Sequence, residues 1–125
     1  MAKRTKRTVG NSLDRLWSKV VRKRDNHECQ KCGGDATEAH HIFGRRNYST
    51  RWNIQNGISL CSYCHIWSTL SFEQSAHDPV NRDVTLKSVG GKEALVELSL
   101  LAKTPYKSTL EELMELEAKL KEVLM

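Results

Sequence analysis

The sequence predicts a small α+β fold, pinned by one structural zinc and flanked by helices. Three observations carry this expectation. Four cysteines fall as two pairs, Cys29-x-x-Cys32 and Cys61-x-x-Cys64. Two short strand-like stretches lie between the pairs. Helical apolar periodicity occurs before the first pair and after the second.

Residues 1–10 read as a basic flexible arm. No apolar segment follows the basic stretch Met1 to Thr8, so no secretory signal peptide is expected. A helix is expected from a cap at Asn11 or Ser12 to about Arg24. Leu13, Leu16, Trp17, Val20 and Val21 share one face of it. Arg22, Lys23 and Arg24 sit at its C-terminal end, where the helix dipole favours cations. Gly33-Gly34 directly follow the first cysteine pair and permit the tight turn of a zinc knuckle.

Thr37 to Ile42 is a candidate strand. Phe43 to Asn53 is a loop rich in Arg, Asn and Ser, and Asn56 to Leu60 is a second strand with a turn at Asn56-Gly57. A helix should then begin near Cys61 or Ser62 and carry Cys64, His65, Trp67 and Leu70. Pro79 is expected to end this unit, so residues 11–80 form the zinc-stabilised domain. Residues 81–125 read as a helical appendage: a helix from about Lys92 to Lys103 after Gly90-Gly91, a break at Thr104-Pro105, and a last helix capped by Ser108 with Glu111. Leu113, Leu116, Leu120 and Val123 line that last helix. The reading is a C-terminal helical hairpin packed on its own domain, with a homodimer seam as the alternative.

Composition narrows the function. Of 125 residues, 38% are hydrophobic and 28% charged, a thin supply for a purely apolar core. No run reaches the roughly 20 apolar residues of a membrane span. The expected compartment is the cytoplasm, where paired cysteines are metal ligands rather than disulfides. The net charge is +5, but it is unevenly spread. Residues 1–65 carry 13 Lys/Arg against 5 Asp/Glu, and residues 66–125 carry 7 against 10. The cysteine-bearing half is therefore the basic half, which fits a polyanion such as DNA.

The spacing C-x2-C-x28-C-x2-C supplies four thiolates, enough to close one tetrahedral Zn2+. That leaves the histidines over. His40 and His41 are adjacent, and His65 follows Cys64 directly. On a strand the first two point to opposite faces unless a bulge or twist turns them together. His27, beside the knuckle, reads as a surface residue.

Three segments carry a family resemblance: Ala39-His40-His41-Ile42, Asn56 with Gly57-Ile58-Ser59-Leu60-Cys61, and Cys64-His65. Over about Asp25 to Phe72 the chain resembles the HNH nucleases in their four-cysteine version, with a ββα-metal, treble-clef-like core. Small phage-encoded members are similar, and the tail more loosely resembles the NinG/Rap-type phage recombination nucleases. The resemblance implies a metal-dependent DNA endonuclease, in a bacterial host cell if phage-encoded. It puts His41 in the place of the general base. His40 and His65 take the places of ligands to a catalytic Mg2+, Mn2+, Ni2+ or Zn2+. Asn56 takes the place of the central asparagine that ties the loop, with Asn53 as an alternative. The family often has a further ligand one helical turn after the position of His65; here Thr69 stands there, a poor ligand, and His77 is a candidate replacement.

The chemistry suits these residues. A neutral imidazole with an ordinary pKa of about 6.5 accepts a proton from water near neutral pH. A divalent metal offsets charge on the phosphate and on the leaving 3′-oxygen. Arg45, Arg46 and Arg51, in the loop between the strands, are expected to contact DNA phosphates. Tyr48 and Trp52 either stack on a base or pack the loop. The alternative function is a zinc finger that binds DNA without cutting it; the same cysteines and arginines would serve it, but His41 and His65 would be superfluous.

Overall fold

The computed structural model describes residues 4–67 and 79–125. Expectations on Thr69, Leu70 and His77 fall outside the described residues. The elements run α1 (Lys6–Arg24), β1 (Glu38–His41), α2 (Tyr48–Arg51), a 3-10 turn (Ile54–Asn56), β2 (Gly57–Leu60), α3 (Ser62–Trp67), α4 (Pro79–Val89), α5 (Lys92–Ala102) and α6 (Leu110–Leu124). This is a small α+β fold: among the described residues, six α-helices surround a two-stranded antiparallel sheet.

Helix α1 starts at Lys6, more than a turn before the expected caps at Asn11 and Ser12. Thr5 caps it instead. The Thr5 hydroxyl accepts from the Thr8 N–H, and the Thr8 hydroxyl accepts from the Thr5 N–H. A reciprocal cap normally shows Glu or Gln at the third position, so a Thr pair is a weak signal in sequence. The extra turn buries Val9 on the apolar stripe already containing Leu13 and Trp17. Residues 6–10, expected within the arm, are thus helical.

Beyond Arg24 the chain reverses through Asn26 (φ 55°) and His27 (φ 58°), both left-handed. His27 is exposed, as expected. Arg24 then clamps the helix end to the sheet, donating to the Ile54 and Gly57 carbonyls at 2.7 Å each.

The hairpin pairs regularly: Glu38 with Leu60, Ala39 with Ser59, His40 with Ile58 and His41 with Gly57. Both faces are covered, since every residue of β2 is buried. Ile58 and Leu60 join Cys29, Ile42, Phe43, Cys64, Val89, Leu95 and Leu98 in one core. On the opposite face, the Ser59 hydroxyl donates to the Val21 carbonyl, and Ala39 packs among Val9, Leu13, Trp17, Val20, Trp52, Leu113 and Leu120.

Three features mark the C-terminal half. Pro79 begins α4, the position where a missing N–H costs nothing. The last helix is capped by Thr109 with Glu112, one residue beyond the expected Ser108 and Glu111. And α5 and α6 do not form a joint apolar face: Leu95 and Leu98 enter the cysteine-side core, whereas Leu113 and Leu120 cover α1. The apolar stripe of α1 needs a cover, and α6 supplies it. Arg4 holds that cover with two hydrogen bonds to Glu117, at 2.9 and 2.7 Å. No helix among the described residues is long and apolar enough to cross a membrane.

Candidate metal centre and histidine cleft

Cys29, Cys32, Cys61 and Cys64 come together with their sulfurs all within 4.8 Å of one another. Tetrahedral zinc with thiolates at about 2.3 Å requires sulfurs about 3.8 Å apart. Cys32 Sγ and Cys61 Sγ lie 3.7 Å apart. The four cysteines therefore suit one metal ion such as zinc.

The local backbone is arranged for thiolates. Gly33, at φ 80°, makes the knuckle turn. The Cys32 N–H donates to Cys29 Sγ at 3.5 Å, Gly34 N–H to Cys32 Sγ at 3.4 Å, and Cys64 N–H to Cys61 Sγ at 3.4 Å. The Gln30 N–H donates to the Ser59 carbonyl, tying the knuckle to β2. Burial opposes charge on Cys29, but the N–H groups of Cys32, Cys61 and Lys31 outweigh it and bring the thiol to about 6. Burial pushes Cys64 up to about 12. Four sulfurs this close cannot all ionise without a cation, so a dication suits the cluster.

His41 is a separate site. Its ring stacks on the Trp17 indole, with centroids 3.8 Å apart and planes 9° from parallel. Its Nε2 lies 2.9 Å from the Arg51 carbonyl oxygen. A carbonyl only accepts, so Nε2 carries the hydrogen and Nδ1 is left with the lone pair. Burial pushes the imidazole down to about 4, against a smaller upward pull from the Arg51 carbonyl. His41 is therefore neutral at pH 7, in a single tautomer. Its ring lines an open cleft of about 380 Å3 with Asp14, Arg15, Lys19, Arg22 and Arg45.

The regular register decides the relation of His40 to His41. There is no bulge, so consecutive residues leave β1 on opposite faces: His41 meets α1, and His40 stands on the side of Ile58 and the cysteines. The two do not converge. His65 belongs to α3, but its side chain lies outside the described residues. Among the described residues, the four cysteines are the group assembled to hold a metal.

Asn56 is fully buried and acts as a clip. Its Oδ1 accepts from the Phe43 N–H at 2.8 Å, and its Nδ2 donates to the Phe43 and Thr50 carbonyls at 3.0 Å. It thereby closes the loop that delivers the Arg51 carbonyl to His41. Asn53 serves elsewhere. Its side chain caps the 3-10 turn, and its carbonyl accepts from the Trp17 indole N–H at 2.8 Å.

The three loop arginines separate. Arg51 is two-pronged on Asp14, at 3.0 and 2.8 Å, and lies over the Tyr48 and Trp52 rings. Arg45 reaches the same carboxylate at 3.1 Å but stays largely exposed. Arg46 is exposed. Asp14 also accepts from the Trp52 indole at 2.8 Å. Burial works against its charge, but the Arg51 and Trp52 donors outweigh it and hold the carboxyl below its ordinary range. Asp14 and Trp17 are the residues sequence reasoning missed. Asp14 carries a signal: it is the lone acid in an otherwise basic helix.

No protein-family model, curated protein or solved structure matches this chain.

Proposed function

We propose that the protein is a metal-dependent DNA endonuclease of the HNH type, with His41 as its general base. The observation that carries this reading is the placement of His41: an imidazole fixed by the Arg51 carbonyl, on the wall of a cleft lined by Arg15, Lys19, Arg22 and Arg45 beside Asp14. A water at Nδ1 would lose its proton to the ring as it attacks phosphorus. Arg15, Lys19, Arg22 and Arg45 would draw the phosphate backbone into the cleft. Asp14 holds Arg51 in place, and Asn56 holds the loop, so that the carbonyl behind His41 does not move. The four cysteines hold a structural Zn2+. A second divalent metal, on His40 and His65, would supply the charge that offsets the phosphoryl and leaving oxygens.

His40 and His41 leave β1 on opposite faces, so this reading requires one phosphate to be reached from both sides of the strand. Purified protein should nick supercoiled plasmid only when Mg2+, Mn2+, Ni2+ or Zn2+ is added. Tight DNA binding without cutting under every metal would instead make it a zinc finger that only binds.

A further inference from the structure

A second cavity, of about 650 Å3, opens on the far side of the Asp14–Arg51 pair. It lies between the first turns of α1, helix α2 and the segment joining α5 to α6. Its size is that of a small-molecule site. Tyr48, Trp52 and Tyr106 give it aromatic walls, and Lys6, Arg7 and Lys107 give it positive charge. Among the described residues, no acidic side chain lines it, and none of those three cations has an ion pair. Tyr106 is 40% exposed and Tyr48 51% exposed. Neither ring is consumed by the core.

Aromatic rings interleaved with cations in a concave site suit one chemistry: an unpaired base stacked on a ring, with its flanking phosphates on the ammonium and guanidinium groups. A base inside a duplex cannot present its face to such a pocket. Position supports the same occupant. Arg51 lines this cavity with its side chain and fixes His41 with its carbonyl. Residues of α1 line both the aromatic pocket and the histidine cleft.

We propose that this pocket binds an unpaired nucleotide of a DNA strand whose neighbouring phosphate lies at His41, so that the substrate is single-stranded or locally unpaired DNA. The link to cutting rests on the endonuclease reading; the pocket's binding does not. The test is the affinity of a short fluorescent oligothymidylate for the zinc-loaded full chain, with no further metal, beside a hairpin duplex of the same length. Tyr106→Ala should weaken oligothymidylate binding about tenfold, as expected for one lost stacking ring, and leave duplex binding unchanged. Tyr106→Phe keeps the ring and should bind as the parent does. Lys107→Ala should weaken binding and flatten its salt dependence. Equal affinity of Tyr106→Ala and the parent would overturn the proposal, as would an equal loss on the duplex. Preference for an oligouridylate would assign the strand to RNA and overturn it as stated. Ring-dependent binding by a protein that never nicks DNA would sustain the pocket while removing the endonuclease.

Discussion

Gly57 sets how closely α1 approaches the hairpin. A Cβ there would stand 2.7 Å from Val21 Cγ2 and 2.8 Å from Trp17 Cζ2. Its hydrogen lets Trp17 lie flat on the strand and so reach His41 on the paired position. Gly57→Ala should therefore cost about 1–3 kcal/mol in urea unfolding, the usual penalty of overpacking. It should also disturb the Trp17–His41 stack, seen as a shift in the His41 ring resonances. His41 makes its own prediction. In the zinc-loaded protein without a second metal, its ring should titrate by NMR near 4, because burial disfavours the cation. The unfolded chain protonates near 6.5, so this histidine withdraws stability as pH falls from there and stops doing so below about 4. A midpoint near 6.5 would mean a solvated ring. None of this was legible locally: the partner of His41 comes from a helix that ends well before β1.

At the level of elements, the clearest case is α6 on α1. Its apolar spacing was legible, but its partner was not. The same leucines suit a dimer seam or an internal cover, and Leu113 and Leu120 here cover Val9, Leu13 and Trp17 of α1. Glu117 marks the choice. It is buried, and the Arg4 guanidinium holds its carboxyl down at about 2. A depressed carboxyl contributes stability above its unfolded value near 4.5 and loses it as pH falls through about 2. The stability difference between the parent and Glu117→Gln should accordingly be flat above about pH 4.5 and shrink below it. A difference independent of pH over that range would show that the Arg4 pair does not hold the helix. Element boundaries were the weak point of the sequence reading. A Thr5–Thr8 cap and an N1 proline are both ambiguous until the packing around them is known.

The whole molecule is a sheet of two strands between two cores, and the cysteine cluster belongs to one of them. Cys29 and Cys64 are themselves core residues beside Ile58 and Leu98, so a metal held by the cysteines would stabilise the face that packing already stabilises. Stripping zinc with a strong chelator should unfold the chain cooperatively, with loss of far-UV helicity, and purified protein should hold about one zinc per chain. Retained helicity after complete zinc removal would show that the two cores suffice. The cysteine pairs and the hairpin were legible because each rests on a short local pattern with its own chemistry. The cleft was not, because Asp14 and Trp17 gain meaning only once α1 is folded across Gly57.

The proposed role of His41 is to take the proton. It is tested most directly by comparing plasmid nicking by the parent and His41→Ala at matched zinc content, helicity and DNA affinity. General-base removal should lower the rate about 10²–10⁴-fold while binding is retained. Undiminished nicking by the variant would place the chemistry elsewhere and contradict the account.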